Sequence, residues 1–392
     1  MKIALIAGTR PEIVKLAPVR DAMNALPDLQ SWWLATGQHG SLAEQAMGVF
    51  DIVPDRQLSL NWTKSSLPSL FARLIEGLAE EYERSGPDMV IVQGDTASAY
   101  AGATAAHMLR IPVAHVEAGL RSGDLANPFP EEGFRRMIAP ITDLHFAPTR
   151  AARDNLRAEN IDDDKILVTG NTVVDAVEAL GDNDVRPAAL DDVAPGANIV
   201  LVTAHRRENW GEGIDSICEA VLDLRGRFSN THFILPAHAN PRVRDAVNQL
   251  LAGEPQISVV DPLSYPEFIG VLKRSSLVLS DSGGVQEEAP SFGVPVLVLR
   301  ERTERMEAVK AGTALLVGTD RARIVTEASR LLADPRARLK MTKRGNPFGD
   351  GNAGIRIVAA CRDFLQSSGP AAPKGGLLSR LGLGTTSIAM AE

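Results

Sequence analysis

Cysteine is nearly absent: Cys218 and Cys361 are the only two in 392 residues. That count excludes a disulfide framework and a cysteine-based zinc site. The seven histidines are scattered, with no H-x-H or H-x-x-x-H pair, so the chain carries no metal signal. Positive charge is in deficit. Lys and Arg total 41 against 49 Asp and Glu, a net charge of -8, which argues against a nucleic-acid partner. No apolar run approaches the roughly 20 residues needed to span a bilayer, so no membrane partner is expected. The opening "MKIALIAGTRPE" lacks the longer apolar core and small-residue cleavage site of a signal peptide. It reads as a buried first strand, with a cytoplasmic protein as the expectation. No 20–50-residue repeat is visible, which leaves out a solenoid.

What is present is a steady alternation. Val/Ile/Leu-rich runs read as buried parallel strands: "KIALIAG", "DMVIVQGD", "VAHVEAG" and "LHFAPT", then "NIVLVTAH", "HFILPAH", "ISVVD", "LVLSDSG" and "VPVLVLR". Helical patterns such as "IVKLAPVRDAMNAL" separate them. Strand–helix alternation of this kind predicts an α/β fold built from doubly wound sheets. The length exceeds one ordinary core. An Asp/Pro/Ala/Gly-rich stretch, "GDNDVRPAALDDVAPGA" at 181–197, reads as a linker. We therefore expect one Rossmann-like domain at 1–175, a second at 185–350, and a cleft between them. A terminal helix at 351–366 is expected to pack back on the first domain, followed by a mostly disordered tail at 367–392.

In open α/β sheets ligands bind beyond the carboxyl ends of the strands. Five strand ends here are polar: "AGTRPE", "QGDT", "VEAGLRSGD", "TAHRREN" and "SDSGG". The last reads either as a phosphate seat or as a tight turn. In the first reading, Ser282, Gly283 and Gly284 present helix N–H groups to an anion. In the second, Asp281 or Ser282 is merely an N-cap. Glu288, one turn further on, suits ribose hydroxyls. Arg10 either clamps a phosphate or pairs with Glu12. Lys15 either points to the same mouth or lies on a solvated helix face. Asp95 and Glu117 end neighbouring strands and read as partly desolvated carboxylates, each a candidate general acid or base. Their plainer readings are a helix cap for Asp95 and a salt bridge to Arg121 for Glu117. Glu131 opens a helix and is spaced to pair with Arg135. His205 and His238 both end strands; the arginines beside His205 favour it as a ligand-facing group.

Taken together, "GTRPE", "GDT", "HVEAGLRSGD", "PFPEE", "TGNTVVDA", "TAHRREN", "DSGGVQEEAP" and "VPVLVLRERTER" resemble the non-hydrolysing UDP-N-acetylglucosamine 2-epimerases, in order from residue 1 to about 360. The resemblance implies a glycosyltransferase-B-like pair of Rossmann-like domains. It also implies reversible conversion of UDP-N-acetylglucosamine to UDP-N-acetylmannosamine, by elimination of UDP to a glycal and re-addition. By similarity Asp95, Glu117, Glu131 and His205 are catalytic. Arg10, Lys15, Arg135, Phe268, Ser282, Gly283, Gly284, Glu288 and Arg305 contact the substrate. No cofactor or metal is implied; a homodimer is.

The chain departs from the family pattern in places. Met306 stands for Pro in "TERMEA", and Phe134 stands where the family has Asn. "QHGSLAEQ" and "TKSSLPSL" lack charged and polar residues that elsewhere serve an activating second substrate molecule, so weakened activation or a variant sugar is expected. Three other readings share the motifs. One is a hydrolysing epimerase. Another is a glycosyltransferase on the same scaffold. The last is a catalytically silent sugar-nucleotide sensor.

Overall fold

The computed structural model describes residues 1–37, 40–58, 66–182, 185–204, 206, 209–237 and 241–367. The chain divides into two compact units. One comprises Met1–Thr172 with the stretch from Asn352 onward; the other is Val173–Gly351.

The first unit winds β1 (Lys2–Ala7), α1 (Arg10–Asn24), β2 (Gln30–Ala35), α2 (Gly40–Val49), β3 (Arg56–Gln57), α3 (Leu67–Ser85), β4 (Met89–Gln93), α4 (Ala97–Met108), β5 (Val113–Val116), α5 (Glu131–Ile138), β6 (Leu144–Ala147), α6 (Arg150–Ala158) and β7 (Ile166–Val168). Its seven strands are all parallel, in the order β3-β2-β1-β4-β5-β6-β7. The central strands β1, β4, β5 and β6 are almost wholly buried because helices cover both faces. One face packs Leu5, Ile91 and Val116 against α1. The other packs Ile6, Val90 and Val92 against the alanine-rich α4 and the Leu70–Leu74–Leu78 stripe of α3.

The second unit follows with α7 (Thr172–Asp182), β8 (Asn198–Thr203), α8 (Glu212–Arg227), β9 (Thr231–Pro236), α9 (Pro241–Leu251), β10 (Ile257–Val260), α10 (Tyr265–Arg274), β11 (Leu277–Ser280), α11 (Gly283–Glu288), β12 (Val296–Val298), α12 (Met306–Ala311), β13 (Ala314–Leu316), α13 (Arg321–Ala333) and α14 (Pro335–Thr342). Its parallel sheet runs β10-β9-β8-β11-β12-β13. Part of the stretch read as a linker is packed: a Cβ added at Gly270 of α10 would lie 2.7 Å from the Val185 carbonyl. The chain then returns to the first unit as α15 (Ala353–Ser367), whose Ile357, Val358 and Cys361 complete the α1 side of the core.

The sheets hold strands that the sequence reading did not single out: β2, β3, β7 and β13. In each sheet the first strand, β1 or β8, lies between the second and the fourth. The strand order therefore reverses beside β1/β4 and β8/β11, and the crevice at the carboxyl ends of such strands is where ligands bind. Among the described residues, no helix is long and apolar enough to cross a membrane.

Candidate active site

At the carboxyl ends of β4 and β5 two acids emerge side by side. Asp95 does not cap α4. Thr96 does, its Oγ1 accepting the Ala99 N–H at 3.0 Å, which leaves the Asp95 carboxylate to Arg135, 2.6 Å from Nη2. Sequence spacing offered Glu131 as the partner of Arg135. The structure instead gives Arg135 to Asp95 and to Glu132, whose Oε2 accepts from Nη1 at 3.2 Å. Glu132 is fully buried. Burial pushes its carboxyl pKa up, but the Ser122 N–H together with Arg136 and Arg135 outweighs that and holds it below the usual range. This pinned anion fixes the guanidinium that reaches Asp95. Glu131, left without Arg135, has its Oε2 buried with no hydrogen-bond partner among the described residues.

Glu117 is the first residue past β5, and its backbone is left-handed at φ 66°. For a residue with a Cβ that costs about 1–2 kcal/mol. Such strain persists where neighbours over-determine it and concentrates at functional sites. Here Gly94 N–H donates to Val116 O and Ala118 N–H to Phe146 O, both at 3.0 Å, fixing the strand end on either side. The Glu117 Oε2 accepts from Lys15 Nζ and, at 2.9 Å, from Gln93 Nε2. Lys15 is 8% exposed, so the solvated-face reading of this lysine does not hold. Arg121 pairs bidentately with Glu159 at 2.8 and 2.6 Å, not with Glu117.

Two buried groups lie beneath these acids. Glu12 does not meet Arg10. Its Oε2 accepts the Gly8 and Thr9 N–H groups at 2.9 and 2.7 Å, and its Oε1 accepts the Thr96 hydroxyl. Burial raises its pKa to about 7 despite those hydrogen bonds. His115 shares a 2.8 Å hydrogen bond with the Gly94 carbonyl. A carbonyl only accepts, so Nε2 carries the proton. Burial lowers the pKa of this ring to about 4, so near neutral pH it is an uncharged prop for the backbone preceding Asp95. Arg10 is exposed at the first position of α1.

Phe134 is buried in a stack with Tyr100 of α4 at 5.2 Å and Phe71 of α3 at 6.5 Å between ring centroids. An aromatic ring at that position anchors α5, and with it Glu131 and Arg135, to its neighbours.

In the second unit, β11 is followed directly by the buried Asp281, whose Oδ2 accepts from Arg206 N and Asn209 Nδ2, both at 2.9 Å. Ser282 occupies the N-cap position of α11, but its side chain accepts no cap hydrogen bond. Its own N–H donates to Ser280 Oγ at 3.0 Å. A Cβ on Gly283 would lie 3.2 Å from Glu304 Oε1, and one on Gly284 would lie 3.8 Å from Glu288 Oε1. Tyr265 Oη donates to Glu288 Oε1 at 2.9 Å; half-buried Phe268 lies one turn along the same helix. Arg305 Nε donates to Glu287 Oε1 at 2.9 Å. His205 and His238 lie outside the described residues, as do Gln38, His39 and Thr63–Ser65 of the segments tied to substrate activation.

Sequence reasoning did not single out Gln93, His115, Glu132 and Tyr265, and it read Glu12 only as a partner for Arg10. Each acts by contacting a candidate side chain or the backbone beside one. The motif "PFPEE" held a signal for Glu132, since the second acid of a helix's first turn can turn inward as readily as the first.

Two parallel sheets, each with its first strand beside its fourth and with charged side chains at the carboxyl strand ends, make this a protein of two Rossmann-like domains in the glycosyltransferase-B-like class. The profile of the UDP-N-acetylglucosamine 2-epimerase family matches residues 21–362. A Salmonella typhimurium protein named UDP-N-acetylglucosamine 2-epimerase is 42% identical over 375 residues, 94% of this chain and 100% of that one. A Bacillus subtilis protein of the same name is 42% identical over 358 residues, 91% and 94% of the two chains. The crystal structure of a Neisseria meningitidis UDP-GlcNAc 2-epimerase bound to UDP-GlcNAc is similar at a TM-score of 0.85 and 39% identity, covering 93% of this chain and 100% of that one. The chain belongs to the UDP-N-acetylglucosamine 2-epimerase family.

Proposed function

We propose that this protein interconverts UDP-N-acetylglucosamine and UDP-N-acetylmannosamine without net hydrolysis. In the forward direction the C2 proton goes to a carboxylate as the C1–O bond breaks and its electron pair leaves with UDP. The product pair is a glycal and UDP. Protonation of C2 from the opposite face and re-formation of the C1–O bond complete the inversion. The observation that supports this reading is the pairing at neighbouring strand ends: Asp95 with Arg135, and Glu117 with Lys15 and Gln93. Proton removal from one face and delivery to the other needs at least two positioned acid–base groups, and carboxyl groups can serve. A departing diphosphate needs fixed cations and N–H dipoles.

In this reading Asp95, Glu117 and Glu131 handle the protons, and Lys15 and Arg135 hold the first two in place. His205 supports the diphosphate and the sugar. Arg10, Arg305 and the Ser282–Gly284 turn take the phosphates, Glu288 the ribose, and Phe268 the uracil. The enzyme works with no resident metal or cofactor, as a homodimer in the cytoplasm.

Proton NMR of UDP-N-acetylglucosamine incubated with the protein in deuterated water tests the whole scheme. The expected result is a UDP-N-acetylmannosamine signal growing to equilibrium with deuterium incorporated at C2. UDP and free N-acetylmannosamine accumulating in step would replace the non-hydrolysing reading with a hydrolysing one. No exchange at C2 would discard the epimerase reading altogether.

A further inference from the structure

Glu304 lies in the loop before α12 and was not among the residues read from sequence. Three guanidinium groups converge on it. Arg206 Nη2 donates to its Oε1 at 3.3 Å, Arg305 Nη1 is 3.2 Å from the same oxygen, and Arg300 Nη1 donates to Oε2 at 2.9 Å. The same Oε1 adjoins Gly283, where a Cβ would lie only 3.2 Å away. A carboxylate of the chain itself thus lies where the "SDSGG" turn meets its arginines. Burial opposes its charge, but Arg305, Arg300 and Arg206 outweigh that and hold its pKa at about 2, so Glu304 is an anion throughout the physiological range.

Arg206 and Arg305 are anchored independently of Glu304. Arg206 Nε donates to the Asp281 carbonyl at 3.0 Å, and Arg305 Nε donates to Glu287 at 2.9 Å. Each therefore keeps its place if Glu304 moves. Beyond these arginines Glu304 is held by its own backbone N–H, and its side chain is 34% exposed, so it has room to swing away. An incoming diphosphate would compete for the same guanidinium forks, which suit phosphate as well as carboxylate. At these separations two anions repel strongly in a partly buried setting.

We propose that Glu304 is a built-in competitor for the diphosphate: an internal anion that gathers Arg206, Arg300 and Arg305 and is displaced when a nucleoside diphosphate binds. The proposal rests on the reading of the Ser282–Gly284 turn as the diphosphate seat. Its consequence is weakened nucleotide affinity. In exchange, the like charges of three arginines are offset between turnovers and the UDP-sugar product is released faster.

Calorimetric titration of wild type, Glu304→Gln and Glu304→Ala with UDP, and separately with inorganic pyrophosphate, tests this. Glu304→Gln removes the charge and keeps the shape. It is expected to bind both ligands about tenfold more tightly. Without ligand its thermal midpoint is expected to fall, because the arginines lose their counter-charge. In steady-state assays KM and kcat should fall together as release of the UDP-sugar product slows. Glu304→Ala should tighten both ligands too, and it covers the case in which the Gln variant fails to fold. Unchanged or weaker binding by a folded variant would overturn the proposal and leave Glu304 as an organiser of the arginines. Wild-type protein that binds neither UDP nor pyrophosphate would instead overturn the diphosphate reading itself, and this inference with it.

Discussion

Glu12 is 1% exposed, and both its carboxyl oxygens accept hydrogen bonds from the loops that follow β1 and β4. Its pKa rises from 4.5 to about 7 because burial penalises the charge more than the hydrogen bonds favour it. The folded chain therefore keeps a proton that the unfolded chain releases between those values. The stability this proton contributes is complete below pH 4.5, declines as pH rises, and is gone above about pH 7. A shift of that size corresponds to about 3 kcal/mol. Glu12→Gln mimics the protonated form. Urea unfolding at pH 5 and pH 8 is expected to lose about 3 kcal/mol more between the two pH values in wild type than in the variant. Equal losses would mean that Glu12 titrates normally. Asp95, Glu117 and Glu131 stand out in the sequence because they follow apolar runs or open a helix. Glu12 does not stand out, because the Thr96 hydroxyl that meets its carboxyl lies 84 residues away.

Between strands and helices, glycine decides how closely α6 approaches the segment after Glu117. Gly119 has φ 88°, and a Cβ there would lie 2.2 Å from the Ala152 carbonyl of α6. Gly123, four residues on, has φ 81° with open space around it. Gly119→Ala must move backbone as well as adopt a left-handed conformation, while Gly123→Ala faces only the latter. Chemical denaturation is expected to give at least about 3 kcal/mol of destabilisation for Gly119→Ala and about 1 kcal/mol for Gly123→Ala. Similar values would show that α6 can shift freely. Element types were legible where apolar runs were long and flanked by glycine or charge. The two-residue β3 and three-residue β7 and β13 are too short for any periodicity. In β2 the pair Trp32–Trp33 gave no alternation to read, since both faces of a central parallel strand are buried.

At the scale of the molecule, the last described helix closes the first core. α15 buries Ile357, Val358 and Cys361 among Ile13, Leu16 and Ala17 of α1, and Arg362 Nε donates to Asp28 at 2.8 Å across 334 residues of chain. A chain ending at Gly351 would expose that apolar face of α1. Expressed this way, the protein is expected to be aggregated or to unfold at a lower temperature, as size-exclusion chromatography and thermal melting would show. A monodisperse product with an unchanged midpoint would mean that α15 contributes little to the core.

The sequence by itself determined the alternation of strand and helix, and with it two wound parallel sheets. It also determined the polar residues at their strand ends, because a parallel strand's pattern and terminus are local properties. The partners were decided only by tertiary structure. Lys15 meets Glu117 across 102 residues, Arg135 takes Asp95 instead of Glu131, and Arg206 reaches Glu304 across 98. The reason is physical: parallel crossovers bring strand ends together whose separation along the chain is set by intervening helices. Which cation meets which anion is then a matter of packing distance, and sequence spacing carries no record of it.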